Sequence, residues 1–212
     1  MYIPFLVLLS LIPLSSGAKN GLAITPPMGW NTWNRFGCSV NEDLILDSAQ
    51  AIVRNGLKAL GYEYVIMDDC WHAATRDPET NAPRPDPERF PNGIKYVADR
   101  VHELGLKFGI YSSAGRYTCA GRFGSLDFEE IDAKTYAEWN VDYLKYDNCF
   151  NEGRAGTPLI SFERYANMSR ALNATGRPIL YAMCNWGEDG PWNFAPTIAN
   201  SWRISGDIFD VN

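Results

Sequence analysis

Tyr143-Leu144-Lys145-Tyr146-Asp147-Asn148-Cys149 is a short β-type run that ends in a carboxylate, with a lysine two residues before it. Side chains alternate along a strand, so Lys145 and Asp147 point the same way, and an ammonium nearby favours the ionised carboxylate. The expectation is an ion pair that holds Asp147 as an anionic nucleophile at a strand end. A second run, Ser201-Trp202-Arg203-Ile204-Ser205-Gly206-Asp207, also ends in a carboxylate with an arginine close by. Two carboxylates are the minimum equipment for glycoside hydrolysis.

These runs belong to a repeated grammar of helix, stop and apolar strand. The stops are Gly61, Gly105, Asn140 and Gly176, spaced as βα units of at least ~30 residues require. Ile94, Val97, Val101 and Leu104 form one buried helical stripe, and Leu46, Ala49, Val53, Leu57 and Leu60 are expected to form another. The candidate strands are 28–33, 64–69, 107–112, 143–148, 179–184 and 202–207. Strands alternating with helices imply a parallel sheet.

Polar and reactive residues sit at the C-terminal ends of five of these strands, where a (β/α)8 TIM barrel places its active site. A doubly wound open sheet is the alternative, but it would carry a Gly-rich phosphate turn and none is present. Six strand-like segments are short of the eight a barrel needs, so the chain is expected to be a C-terminally truncated barrel of about its first six βα units. Ala73–Asn92, with its prolines and charges, reads as a structured excursion over the barrel mouth.

Composition narrows the function. Met1–Leu14 is almost wholly apolar and Ser16-Gly17-Ala18 supplies small residues for cleavage, so residues 1–18 read as a secretory signal peptide and 19–212 as the catalytic domain. The expected location is extracellular, with no membrane anchor. Acidic residues number 25 against 19 basic ones, with no basic cluster, which excludes a nucleic-acid partner. Five cysteines in an exported chain, with no CxxC and only two histidines, point to disulfides, and neither a metal nor a cofactor is expected. Asn167-Met168-Ser169 and Asn173-Ala174-Thr175 are N-glycosylation sequons.

Asp68 and Asp69, at the end of the second strand, could accept bonds from sugar hydroxyls or hold a metal. Trp30, Trp33, Trp71 and Trp186 fall at or past strand ends and are expected to wall a sugar pocket. Tyr111 reads equally as a hydrogen-bond donor or a packed aromatic. His102 lies in a helix, and neither it nor His72 is assigned to catalysis.

Met28-Gly29-Trp30-Asn31-Thr32-Trp33, Asp68-Asp69-Cys70-Trp71, Gly109-Ile110-Tyr111-Ser112, Thr118-Cys119-Ala120-Gly121, Leu144–Cys149 and Trp202–Asp207 together, in this order, closely resemble glycoside hydrolase family 27. That family holds the α-galactosidases and α-N-acetylgalactosaminidases. The resemblance implies a retaining hydrolase of terminal α-D-galactosides, with Asp147 as nucleophile and Asp207 as acid/base. It implies Trp33, Asp68, Asp69 and Tyr111 lining the galactose pocket, with Lys145 and Arg203 binding the sugar or orienting the carboxylates. Cys38 would pair with Cys70 and Cys119 with Cys149, leaving Cys184 unpaired. Cys184-Asn185-Trp186-Gly187-Glu188-Asp189 has the form of fungal α-galactosidases, placing Asn185 and Trp186 beside the substrate and favouring plain galactose. The family also implies two further strands and a C-terminal β-domain that these residues do not supply. The rival readings are an α-N-acetylgalactosaminidase, an inactive sugar-binding barrel, and a metal-dependent hydrolase built on Asp68 and Asp69.

Overall fold

A computed structural model describes residues 20–208. The proposed signal peptide lies outside the described residues. Six parallel strands form one sheet in sequence order: β1 (Gly29–Asn31), β2 (Tyr64–Ile66), β3 (Lys107–Ser113), β4 (Tyr143–Asp147), β5 (Leu180–Cys184) and β6 (Ser201–Trp202). Five α-helices connect them: α1 (Trp33–Phe36), α2 (Glu42–Arg54), α3 (Gly93–Glu103), α4 (Glu129–Glu138) and α5 (Pro158–Ala174). Strictly sequential parallel pairing with helical crossovers is the βα repeat of a TIM barrel, here a six-stranded part of one.

The period of two divides the sheet residues between two cores. Val65, Phe108, Ile110, Leu144, Tyr146, Tyr181 and Met183 pack outward with the helices. Tyr64, Ile66, Leu180 and Ala182 form a separate inner cluster with Tyr143 against them. Gly109 faces this inner side, and a Cβ there would lie 2.8 Å from Ile66 Cγ1 and 3.2 Å from Tyr143 Cβ, so its missing side chain is what lets those two meet.

The alternation also stacks functional residues in layers. Tyr111 is in register with Lys145 and Ala182, while Ser113 is in register with Asp147 and Cys184. These inward positions climb toward the C-terminal ends of the strands.

The helices obey their own signals. Asn41 caps α2 by accepting from Leu44 N–H, and Thr157 caps α5 by accepting from Ile160 N–H, with Pro158 in the first turn. α3 buries Ile94, Val97, Ala98 and Val101, as its spacing requires. The second expected stripe is corrected. α2 buries Ile45, Ala49 and Ile52, ends before Gly56 (φ +75°), and leaves Val53, Leu57 and Leu60 exposed. Gly56 breaks the helix, so Leu57 and Leu60 belong to a separate short turn, and the buried face is displaced from the one read off Leu46 and Val53.

The segment after β2 is packed. His72 pairs with Pro85 in an antiparallel bridge, Phe90 is in the core, and Arg76 binds Asp132 of α4 through both terminal nitrogens at 2.6 and 2.7 Å. The Arg76 guanidinium also lies 4.8 and 4.3 Å from the Phe123 and Phe128 ring centroids.

Candidate active site

The site assembles where β2, β3 and β4 end. Lys145 does not pair with Asp147. Its Nζ donates to Asp68 Oδ2 at 2.8 Å, which corrects the ion pair expected from the sequence. β3 lies between the strands that carry Asp68 and Lys145, a backbone gap of ~9.6 Å, and the long lysine side chain crosses it over the Tyr111 layer instead of turning to Asp147, ~6.6 Å away along β4. Lys145 Nζ also lies 5.0 Å from the Tyr111 ring centroid. Burial opposes the lysine's charge most strongly, but Asp68, Cys184 and Asp147 together outweigh it and the Lys145 pKa is raised.

Asp68 is held from every side. Oδ2 also accepts from Asn31 Nδ2 at 2.7 Å, Oδ1 accepts from Asp69 N–H at 2.9 Å, and the Asp68 N–H donates to the buried Thr32 hydroxyl. Asp69 binds two loops, accepting from Cys70 N–H at 2.6 Å and from Ala120 N–H at 2.9 Å. Burial raises the Asp69 pKa against these bonds.

Asp147 is 5% exposed, and both its oxygens have a donor. Tyr111 O–H donates to Oδ2 at 2.9 Å and Asn148 N–H to Oδ1 at 2.9 Å. Tyr111 is therefore a donor, and its own ionisation is pushed far up by burial and by the Asp147 charge. Burial also raises the Asp147 pKa, with Lys145, the Asn148 N–H, Tyr111 and Cys184 working the other way. Lys145 thus tempers this carboxyl electrostatically without touching it.

Two disulfides close the loops around these acids, Cys38–Cys70 and Cys119–Cys149, and Cys184 is a buried free thiol. The Cys119 and Cys149 sulfurs and an Asp147 oxygen lie within 4.8 Å of one another, so the second disulfide forms part of the wall beside the carboxylate. Gly115 permits this closure. A Cβ there would sit 1.8 Å from the Cys149 carbonyl oxygen.

On the β5–β6 side, Arg203 reaches Cys184 Sγ at 3.6 Å and Asp207 Oδ1 at 2.5 Å. Burial drives the thiol pKa up to about 12. Lys145, Cys184, Trp202 and Arg203 line a cavity of about 160 Å³ here. β6 ends at Trp202, so Asp207 stands five residues beyond it in exposed chain and is not a strand-end residue as read from the sequence. Only the Arg203 N–H still bonds Met183 O, after which no further strand pairing holds the segment among the described residues.

The tryptophans separate. Trp33 is exposed above Asn31, and Trp186 is half-buried at φ +58° just after β5. Trp71 is wholly buried, stacks on His72 at 3.9 Å and donates to Tyr111 O, so it is core and not pocket wall. Cys70, at φ +74°, turns the chain there. Trp30 packs against the outer core. Asn185 is 1% exposed, and its amide donates to the Glu188 carbonyl, shaping the turn after β5, while its Oδ1 has no hydrogen-bond partner among the described residues.

His72 is buried, with its protonation strongly disfavoured by burial and three nearby arginines. His102 Nε2 lies 2.6 Å from Asp142 Oδ2, away from the carboxylate cluster. Both sequons lie on α5, Asn173 exposed and Asn167 half-buried in a groove of about 800 Å³ against α4.

Sequence reading missed the support beneath Asp147. Arg164 of α5, 2% exposed, donates to Asn148 Oδ1, Ala114 O and Arg154 O. The available signal was a charged residue on the Ser161, Tyr165, Met168 stripe of an amphipathic helix.

Known proteins resemble this chain along most of its length. Residues 25–211 match the family described as alpha galactosidase A (Melibiase_2). An α-galactosidase of Schizosaccharomyces pombe is 60% identical over 195 residues, covering 92% of this chain and 45% of the relative. The crystal structure of α-galactosidase I from Mortierella vinacea superposes with a TM-score of 0.89 at 63% identity, covering 91% of this chain and 48% of that one. An α-galactosidase from Saccharomyces cerevisiae, solved with raffinose, gives 0.89 at 53% identity over 92% of this chain and 42% of its own. The chain spans about half the length of the relatives it matches. With the family match running from residue 25 to 211, the chain belongs to the alpha galactosidase A family, glycoside hydrolase family 27.

Proposed function

We propose that this protein contributes the galactose-binding and nucleophile half of a retaining α-galactosidase, which removes terminal non-reducing α-D-galactosyl residues from galactosides such as raffinose. The observation that carries the reading is Asp147, a buried carboxylate at the C-terminal end of β4. One oxygen is fixed by a phenol O–H and the other by a backbone N–H, beside the Lys145–Asp68 pair. A carboxylate oriented this way has lone pairs left to attack an anomeric carbon, and its raised proton affinity disfavours a resting anion without a cationic neighbour.

In the proposed reaction Asp147 displaces the departing sugar and forms a galactosyl ester. Asp207 donates a proton to the leaving oxygen, then removes one from the water that opens the ester. Arg203, bonded to Asp207, would orient that carboxyl toward the departing oxygen. Asp68 and Lys145 present an anion and a cation to the sugar hydroxyls. The same assignment makes the chain an exported glycoprotein with Asn167 and Asn173 as acceptors, a setting that suits its two disulfides.

The test is turnover of an aryl α-galactoside beside an aryl α-N-acetylgalactosaminide, each with the parent protein and with D147N. The proposal expects turnover of the galactoside and loss of it in D147N. Preference for the acetamido sugar would reassign the substrate, and unchanged turnover in D147N would remove Asp147 as nucleophile. Insensitivity to a chelator would exclude the metal-dependent reading.

A further inference from the structure

Arg164 is a buried arginine whose acceptors are all neutral: the Arg154 carbonyl at 2.7 Å, the Ala114 carbonyl at 2.8 Å and the Asn148 side-chain oxygen at 2.6 Å. Its guanidinium also lies 4.7 Å from the Tyr165 ring centroid. Removing a charge from water without a counter-charge at its tips is costly, and an apolar residue of similar volume on α5 would fill the same space. The geometry shows what the arginine gains. Ala114 directly follows β3, Asn148 directly follows β4, and Arg154 lies in the loop leading to α5, so one rigid fork joins three segments around Asp147.

The middle prong reaches the candidate nucleophile. Asn148 is gripped at both ends of its amide, with Oδ1 accepting from Arg164 and Nδ2 donating to Glu188 Oε2 at 2.8 Å. Its backbone N–H is the donor to Asp147 Oδ1. Tyr165, beside Arg164 on α5, donates its hydroxyl to the Asp147 carbonyl at 3.2 Å and to Asn148 Oδ1 at 3.3 Å. Arg164 and Tyr165 therefore hold the Asp147–Asn148 peptide from outside the barrel while Tyr111 holds the carboxylate from within.

We propose that Arg164 is a positioning residue for Asp147, acting through Asn148 to fix the carboxylate in its attacking orientation. The inference rests on the nucleophile assignment above. It predicts that losing the fork frees the Asn148 backbone and weakens its bond to Asp147 Oδ1. The groups facing Asp147, namely Lys145 on its own strand, Tyr111 of β3 and Cys184 of β5, would remain in place.

The experiment measures kcat, KM and the pH profile of kcat/KM for an aryl α-galactoside with the parent protein, R164M and R164K. A displacement of about 1 Å costs on the order of 10²-fold in rate. The expected result is a fall in kcat of that order in R164M with KM changed less than about twofold. The acid limb of the profile should move to higher pH, because Asp147 loses a donor to its ionised form. R164K keeps the charge but not the fork and should show the same limb shift with a smaller fall in kcat.

A folded R164M with unchanged kcat and acid limb and only a lower Tm would overturn the proposal, leaving Arg164 as a structural tie. If R164M does not fold, an unshifted limb and undiminished kcat in R164K overturn it equally. Turnover in D147N equal to that of the parent would instead refute the nucleophile reading, and this inference with it.

Discussion

Lys145→Met separates the pairing found in the structure from the one expected from sequence. The Lys145 side chain is 23% exposed and that of Asp68 2%, so the substitution strands a carboxylate that has almost no access to water. Breaking a buried pair from one side costs about 3–5 kcal/mol, and the partial exposure of the lysine places this case near about 3. For a chain of this size each kcal/mol lowers Tm by roughly 2–4 °C, giving a fall of about 6–12 °C at neutral pH.

The carboxylate left behind keeps Asn31 Nδ2 and the Asp69 N–H but loses its cation. D68N in the K145M background should recover most of the lost stability, since the stranded group is then neutral. Thermal unfolding by circular dichroism of the parent, K145M and K145M/D68N at neutral pH decides it. A K145M Tm within about 1 °C of the parent, or a double variant no better than K145M, would refute the pairing and the layer geometry behind it.

Asp147→Asn should lower turnover on the order of 10⁴-fold or more while raising Tm at neutral pH. Burial raises the Asp147 pKa, so native Asp147 holds a proton where the unfolded chain has lost it; parent stability rises as pH falls through that value, and the advantage of D147N should shrink over the same range. Tyr111→Phe removes a bond to a charged acceptor worth about 1.5–3 kcal/mol, and the acid limb of kcat/KM should move up; an unmoved limb would contradict the Tyr111–Asp147 contact. Gly115→Ala drives a methyl into the Cys149 carbonyl and should destabilise by about 3 kcal/mol, read by denaturant unfolding; a neutral effect would contradict the close packing of the two loops.

Much of the fold could be read from period and punctuation. The Tyr143–Asp147 alternation gives the correct strand and inward face, because one side packs helices and the other the barrel interior. The α2 stripe was misplaced because leucines and valines crowd both faces before Gly56, and apolar identity alone could not choose between them. The Lys145 partner was unreadable for a different reason. Proximity along a strand is a poor guide because a lysine side chain is long enough to cross the position of β3 and reach the end of β2, and which strands stand there is set by tertiary pairing. Trp71 looked like pocket wall by position, yet the positive φ of Cys70 turns it to the core. The disulfide partners came from family likeness, since spacing cannot choose among connectivities. Arg164 needed helix phase and burial together, and its three acceptors are scattered across separate loops.

The most direct test of the central claim is chemical. The protein is incubated with a galactosyl fluoride carrying a ring fluorine that slows release of the ester, and the labelled peptide is mapped by mass spectrometry. The account predicts one galactosyl adduct on the peptide containing Tyr143–Cys149, localised to Asp147 and absent in D147N. An adduct on another carboxylate, or turnover with inversion at the anomeric carbon and no adduct, would contradict it.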